Sequence, residues 1–122
     1  MKVIVCGSRY LDDDDLVNAT LDQLRITLKA RGHTLDTIIH GDMTGADALA
    51  DEWANTRGIE RIKHPANWTG LGRPAGPVRN RRMLELHSGG PLMVVAFPGH
   101  AGTKNMVDQA KARGIEVLEV AR

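Results

Sequence analysis

Three short segments of the chain combine glycine with hydroxyl-bearing residues, which is the composition of loops that bind phosphate. They are residues 7–9, residues 41–47 and residues 98–103. Glycine lets backbone N–H groups approach an oxyanion closely, and a helix that begins at such a loop adds a favourable dipole. Neither the dinucleotide fingerprint G-x-G-x-x-G nor the phosphate loop G-x-x-x-x-G-K-S/T occurs. Glycine in these segments therefore also fits a simpler role, that of permitting tight turns between strands and helices.

Two acidic residues of the second segment have two possible roles. Thr44, followed three positions later by Asp47, resembles a capping box at the start of a helix, in which case Asp47 has only a structural role. Alternatively, Asp42 or Asp47 accepts hydrogen bonds from the hydroxyls of a ribose. The sequence leaves both interpretations open.

Positive charge is concentrated in one part of the chain. Residues 61–84 contain six Arg or Lys side chains and no acid. A solvated basic surface is the usual explanation, but Arg79 shares a helix face with Met83, and Arg79 and Arg82 are spaced to point at one target. Because arginine binds phosphate in a bidentate manner, we favour a phosphate clamp. Trp68 lies in the loop before this helix. Its side chain either stacks on a base or packs against the domain and anchors the loop.

These segments supply candidate ligand-binding residues, whereas no catalytic residue is assigned. The histidines have no metal-ligand spacing with Cys6, so neither a metal nor a cofactor is expected. The ligand-binding candidates are Gly7, Ser8, Arg9, Gly41, Asp42, Thr44, Gly45, Ala46, Asp47, Arg79, Asn80, Arg82, Pro98, Gly99, Gly102 and Thr103.

Hydrophobic patterning indicates how these segments are positioned. Apolar runs predict five strands, at residues 2–6, 37–40, 59–64, 92–97 and 115–120. Helical spacing predicts four helices, around residues 16–28, 46–57 and 78–87 and a last one marked by Met106, Val107 and Ala110, with a loop at 65–77. Strands that alternate with helices predict a three-layer, doubly wound α/β fold with a parallel sheet. In such folds ligands bind beyond the carboxyl ends of the strands, where the three glycine segments lie.

Composition limits the class of protein. The chain has 122 residues, 42% of them hydrophobic and 25% charged, with a formal net charge of +1, which is ordinary for a globular protein. We expect one domain spanning residues 1–122. No segment approaches the ~20 apolar residues of a membrane span, the first apolar run is too short for a signal peptide, and a single cysteine fits a reducing compartment. We therefore expect a cytoplasmic protein without membrane contact.

Four motifs together resemble the YspA-related (YAcAr) branch of the SLOG superfamily, which includes Smf/DprA proteins and the Lonely Guy phosphoribohydrolases. They are V-I-V-C-G-S-R from Val3, H-G-D-M-T-G-A-D-A-L-A-D-E-W-A from His40, P-A-G-P-V-R-N-R-R-M from Pro74 and V-A-F-P-G-H-A-G-T-K-N-M from Val95. The resemblance implies a Rossmann-like sheet in the order 3-2-1-4-5, a nucleotide-type ligand over the glycine loops and a possible homodimer. Lonely Guy enzymes carry P-G-G-x-G-T-x-x-E, where this chain has His100 for the second glycine and Met106 for the glutamate.

Three functions are compatible with these residues. The favoured one is binding of a nucleotide or nucleotide-derived ligand of the AMP or ADP-ribose type, as a sensor. The alternative is a phosphoribohydrolase-like N-glycosidase, in which Asp42, Asp47 or Glu85 would have to replace the missing glutamate. A nucleic-acid binder is disfavoured, because the net charge is small and only four aromatic residues (two Trp, one Tyr, one Phe) are present.

Overall fold

The computed structural model describes residues 1–121, in which strands and helices alternate. The strands are β1 (Lys2–Cys6), β2 (Thr37–His40), β3 (Glu60–Lys63), β4 (Leu92–Ala96) and β5 (Glu116–Glu119). The helices are α1 (Asp14–Ala30), α2 (Ala46–Thr56), α3 (Trp68–Leu71), α4 (Ala75–His87) and α5 (Ala101–Ala112). None of the helices within residues 1–121 combines the length and the apolar composition needed to cross a bilayer.

The five strands form one parallel sheet in the order β3-β2-β1-β4-β5. Central strand β1 pairs with β2 and β4, so that Ile4 lies level with Ile39 on one side and Val94 on the other. The predicted α/β fold class and the strand order are therefore confirmed. The strand order reverses beside β1, and the segments that follow β1, β2 and β4 meet at the carboxyl edge of the sheet, where ligands bind in this fold class.

Alternate residues of the strands build two cores, one on each face of the sheet. Val3 and Val5 of β1 pack with α1 and α2, whereas Ile4 packs with α4 and α5. Helix α1 begins after Asp13, whose carboxylate accepts a hydrogen bond from the Leu16 N–H at 3.0 Å. Asp13 thus caps this helix, and Asp14 and Asp15 place negative charge in its first turn, at the positive end of the helix dipole.

The segment predicted as a loop, residues 65–77, contains more helix than the sequence indicated. Asn67 caps the short helix α3 by accepting a hydrogen bond from Gly70 N–H at 3.0 Å. Helix α4 begins at Ala75, three residues before the predicted start, and includes Pro77 in its first turn. Proline is tolerated there because the first N–H groups of a helix have no partner within the helix. The extra turn of α4 reaches the carboxyl edge of the sheet.

Candidate ligand-binding site

A cavity of about 590 Å³ lies at the carboxyl edge of the sheet, between the loop after β1 and the first turns of α4 and α5. Its volume is in the range of small-molecule sites in proteins, about 300–1,000 Å³. We call it the first cavity. It is lined by Cys6, Gly7, Ser8, Arg9, Tyr10, Met43, Asp47, Trp68, Arg73, Gly76, Pro77, Arg79, Asn80, His100, Ala101, Gly102, Thr103 and Asn105.

Hydrogen bonds hold the three glycine segments against one another. Ser8 is the shared residue, since its N–H donates to the Pro98 carbonyl at 2.8 Å and its own carbonyl accepts from Ala46 N–H at 3.1 Å. The Thr44 hydroxyl donates to the Arg9 carbonyl at 3.0 Å. The segments after β1, β2 and β4 therefore form one connected wall.

Two glycines of the second segment permit close approaches that a side chain would block. Gly45 has φ +75°, and a Cβ there would overlap the Ser8 carbonyl oxygen and the backbone of Arg9. A Cβ on Gly41 would occupy the position of the Arg79 guanidinium. Gly45 lets the loop after β1 lie against the start of α2, and Gly41 leaves room for the Arg79 guanidinium.

Arg79 is a cation fixed in the wall of the first cavity. Its Nη1 donates to the carbonyls of Gly41 at 2.9 Å and His64 at 3.3 Å, and its Nε donates to Asn80 Oδ1 at 3.0 Å. The Nη2 group of Arg79 has no hydrogen-bond partner among residues 1–121. Burial lowers the pKa of Arg79, with the Asp47 carboxylate opposing this effect, but a guanidinium stays protonated in proteins. Arg79 therefore keeps one pair of N–H donors, those of Nη2, that no residue within 1–121 uses.

The first turn of α5 also faces the first cavity. His100 occupies the N-cap position without a side-chain hydrogen bond, and the first turn contains no acid. The Lys104 N–H is the first to bond within the helix, to the His100 carbonyl at 2.9 Å. The preceding N–H groups, on Ala101 to Thr103, carry the positive end of the helix dipole. An anion bound here would gain both hydrogen bonds and charge compensation.

Among residues 1–121, Asp47 is the one carboxylate that lines the first cavity. Its Oδ2 accepts hydrogen bonds from Gly41 N–H at 3.0 Å and Met43 N–H at 3.3 Å. No residue within 1–121 bonds its Oδ1. Burial raises the pKa of Asp47 above its ordinary value of 3.8, against the opposing charges of His40 and Arg79. The capping-box interpretation is wrong, because α2 has Gly45 as its N-cap and no side-chain cap; Asp47 instead closes the loop that precedes the helix.

Asn80 belongs to the wall through its contacts within the protein. It is buried, and its Nδ2 donates to the Gly102 carbonyl at 3.2 Å and to Asn105 Oδ1 at 3.1 Å. These hydrogen bonds join α4 to α5 at the cavity. Asn80 therefore fixes the spacing of the two helix N-termini.

The structure brings half of the sixteen candidates together. Eight line the first cavity, namely Gly7, Ser8, Arg9, Asp47, Arg79, Asn80, Gly102 and Thr103. Gly41 and Asp42 line a neighbouring second cavity of about 440 Å³. Six line neither, namely Thr44, Gly45, Ala46, Arg82, Pro98 and Gly99. Arg82 is exposed and its charge acts on His64, so the two-arginine clamp has only Arg79 at the first cavity.

Several residues that line the first cavity are not among the candidates predicted from the sequence. Tyr10 is exposed at the rim, with the Arg9 guanidinium 5.6 Å from its ring centroid. Met43 and Asn105 line the first cavity, but no motif rule singles out either residue type. Arg73 was included only as part of the basic segment. Its place between glycines and prolines, just before a helix, was the available signal.

The residue at the Lonely Guy glutamate position does not face the first cavity. Met106 is fully buried in the core formed with α4 and α5, whereas its neighbour Asn105 lines the first cavity. Of the three alternative carboxylates, Glu85 forms ion pairs with Arg81 and Arg113. Only Asp47 remains at the first cavity.

Three histidines near the site, His40, His64 and His87, form hydrogen bonds within the protein. His40 is buried, with Nε2 bonded to Asp51 Oδ1 at 2.8 Å and Nδ1 accepting from Asp42 N–H at 3.0 Å. His64 and His87 share an Nε2–Nε2 hydrogen bond of 2.9 Å. Among residues 1–121 no three His, Cys, Asp or Glu side chains gather as a metal site would require.

The chain is similar to known proteins. The family model described as YspA, cpYpsA-related SLOG family matches residues 1–70, which include the segments after β1 and β2. The chain is also 31% identical to the Gene 61 protein of Mycobacterium phage D29 over 125 residues, covering 96% of this chain and 94% of that protein. No solved structure matches the chain.

Proposed function

The chain belongs to the YspA, cpYpsA-related SLOG family, and from this premise we propose that it binds a nucleotide or nucleotide-derived ligand in the first cavity. Membership of the SLOG superfamily suggests a nucleotide-related function. The ligand class we propose is of the AMP or ADP-ribose type, and the role is that of a sensor.

The main support for the proposal is the set of positively charged and N–H donor groups around the first cavity. The uncapped first turn of α5, the side chain of Arg79 and the exposed side chain of Arg73 border the same cavity. Oriented N–H donors and fixed positive charge in one concave site are what a phosphate group requires. Asp47 is the acidic residue in this wall, and its free Oδ1 suits a sugar hydroxyl better than a phosphate.

The remaining groups of a nucleotide also find matching residues. The Trp68 indole is 47% exposed and lines the first cavity, so it offers a flat surface on which a base can stack. The raised pKa of Asp47 reflects its burial, and a hydrogen bond from a ribose hydroxyl would compensate part of that burial. Phosphate, sugar and base thereby each have a partner.

Isothermal titration with AMP and ADP-ribose tests the proposal. Removing one hydrogen bond to a charged group costs about 1.5–3 kcal/mol, so Arg79→Ala should weaken binding by roughly ten- to a hundredfold. Since Arg79 also bonds two carbonyls, Arg73→Ala is the companion variant, because no hydrogen bond ties the Arg73 side chain to residues 1–121. Arg25→Ala, exposed on α1, is the matched control and should bind as the unmodified chain does. Undiminished binding by folded Arg79→Ala and Arg73→Ala would refute the site.

A second candidate function, hydrolysis of an N-glycosidic bond, rests on Asp47. Asp47 lines the first cavity, its Oδ1 has no hydrogen-bond partner in residues 1–121, and burial raises its pKa. A protonated Asp47 would donate to the nitrogen of the leaving base as the N–C1′ bond breaks. Water would then form the new C1′–O bond and return a proton to the carboxylate.

An assay that measures the release of free base from AMP by chromatography tests this second function. Asp47→Asn keeps an oxygen for the Gly41 and Met43 N–H groups but removes the proton donor. We expect it to abolish turnover while AMP still binds, whereas Asp42→Asn should leave turnover unchanged. Absence of turnover by the unmodified chain with AMP bound would contradict the hydrolase and leave the binding function intact.

A further inference from the structure

Helices α3 and α4 carry most of the exposed apolar side chains of the protein. Seven large hydrophobic residues are exposed within residues 1–121, and four of them lie on these two helices, namely Trp68, Leu71, Val78 and Leu86. Helix α3 buries none of its own residues. It adjoins the start of α4, where a Cβ built on Gly76 would lie 3.2 Å from the Trp68 ring. We call the outer side of the two helices, with these four side chains, the α3–α4 surface.

The exposed residues of α4 follow a regular spacing. Val78, Arg82 and Leu86 recur every four residues, so they lie along one side of the helix. All three are exposed, whereas Met83 and Leu84 of the same helix are buried in the core. From Val78 to Leu86 the helix rises by roughly 12 Å, which is enough to contact two turns of another helix.

Positive charge surrounds these apolar side chains. Arg73, Arg81 and Arg82 are exposed on or just before α4, and residues 61–84 contain no acid. Glu85 follows on α4, and its carboxylate already pairs with Arg81 at 3.6 Å. Neither Arg73 nor Arg82 has an ion pair or a side-chain hydrogen bond with any residue in 1–121. Two exposed guanidinium groups are therefore available to a partner with negative charge.

The helices on the opposite face of the sheet lack this combination. Among the described residues, α1 and α2 expose one large hydrophobic side chain, Ile26, and acids occupy the first turn of each helix. An exposed apolar patch with a polar rim marks a protein interaction site, and charge on the rim selects a partner of opposite sign. Strands of nucleic acid instead need several aromatic side chains for stacking, and the α3–α4 surface has only Trp68.

We propose that the α3–α4 surface binds an acidic, amphipathic helix of a partner protein. Apolar side chains of that helix, spaced three or four residues apart, pack over Val78 and Leu86. Its carboxylates pair with the guanidinium groups of Arg73 and Arg82. Val78, Arg82 and Leu86 line neither of the two cavities, so binding at this surface is independent of the nucleotide site.

A pair of designed peptides tests the α3–α4 surface. The probe is a dye-labelled helix of leucine, alanine and glutamate, with leucines every three or four positions. The control peptide has lysine in place of each glutamate. In fluorescence anisotropy the glutamate peptide should bind about tenfold more tightly than the lysine peptide, because the rim is basic. Its affinity should fall as salt is added, since salt screens exposed charges.

Substitutions of exposed residues locate the binding. Leu86→Ser removes apolar surface from α4, and Ile26→Ser removes it from α1, where the side chain is also more than half exposed. Leu86→Ser should weaken binding of the glutamate peptide by about tenfold, and Arg82→Ala should weaken it by about threefold. Ile26→Ser is the matched control and should bind as the unmodified chain does.

Three results would overturn the proposal. Equal affinities for the two peptides would show that charge does not select the partner. Equal losses in Leu86→Ser and Ile26→Ser would show that no defined surface is involved. Absence of binding to the glutamate peptide would also contradict it. In that case, binding of single-stranded oligothymidylate or of phosphatidylglycerol vesicles that is weakened by Arg82→Ala would assign the surface to nucleic acid or to a membrane.

Discussion

Replacement of Gly45 by alanine tests whether the close contact between the β1 loop and α2 is essential. Gly45 has φ +75° and ψ −130°, a conformation that costs a residue with a side chain about 1–3 kcal/mol. The added Cβ would also lie 2.5 Å from the Arg9 carbonyl carbon and 2.7 Å from the Arg9 Cα. Overpacking of this kind costs a further 1–3 kcal/mol, roughly. We therefore expect Gly45→Ala to lower the free energy of unfolding by about 2–6 kcal/mol.

Gly58 provides a control with a similar positive φ but no close neighbour. It has φ +67°, and no atom of the described residues lies within 4 Å of a Cβ built there. Gly58→Ala should thus cost only about 1–2 kcal/mol, the penalty for a left-handed residue. Since typical domains are stable by about 5–15 kcal/mol, Gly58→Ala should fold fully and Gly45→Ala should be close to its limit.

Urea unfolding followed by circular dichroism measures both variants. The m-value should stay unchanged and the midpoint should fall further for Gly45→Ala than for Gly58→Ala. In thermal unfolding each kcal/mol corresponds to about 4 °C at this chain length, so the two variants should be separated by several degrees. Equal losses in the two variants would refute the reasoning, because the contact with Ser8 and Arg9 would then contribute nothing.

Two further predictions concern titratable groups. Burial lowers the pKa of His64 and that of His87 below 6.5. The nearby charge of Arg82 adds to this effect at His64, and the charge of His64 adds to it at His87. Below that pH the unfolded chain takes up protons that the folded chain does not, so the free energy of unfolding should fall from pH 7 to pH 5; a His64→Gln, His87→Gln double variant should flatten the slope, and an unchanged slope would contradict this origin. Burial and the Asp47 carboxylate raise the pKa of Cys6 to about 12, so only about one thiol in ten thousand is ionised at pH 8. A thiol reagent at pH 8 should react with Cys6 at least a hundredfold faster in urea than in the folded chain, and equal rates would show that the thiol is exposed.

The parts of the fold that follow from local pattern were predictable. The apolar run that became β4, Leu92–Ala96, is buried at every position, and such runs mark central parallel strands. The strand order came from the four motifs, since hydrophobic patterning alone does not say which strands are neighbours. Helix α4 was predicted too short because glycine and proline at Gly76 and Pro77 usually interrupt helices, and only the first turn tolerates them.

The candidate site was predictable to the level of loops, and less so for individual side chains. Sequence spacing suggested that Thr44 and Asp47 cap α2, but the turn at Gly45 moves the start of the helix and turns Asp47 toward the loop behind it. Arg79 and Arg82 are three residues apart, yet only Arg79 lies against Gly41. The rotation of a helix about its axis decides between such neighbours, and it depends on packing with the rest of the fold.

Amide chemical-shift mapping with ADP-ribose tests the central claim most directly, because it locates the ligand without altering the protein. In ¹H–¹⁵N spectra of the unmodified chain, we expect the largest shifts at Gly7, Ser8, Gly102 and Thr103, together with the Arg79 side-chain Nε. The amides of β5, on the far edge of the sheet, should not move. Shifts concentrated away from the carboxyl edge of the sheet, or no shifts at millimolar ligand, would contradict the account.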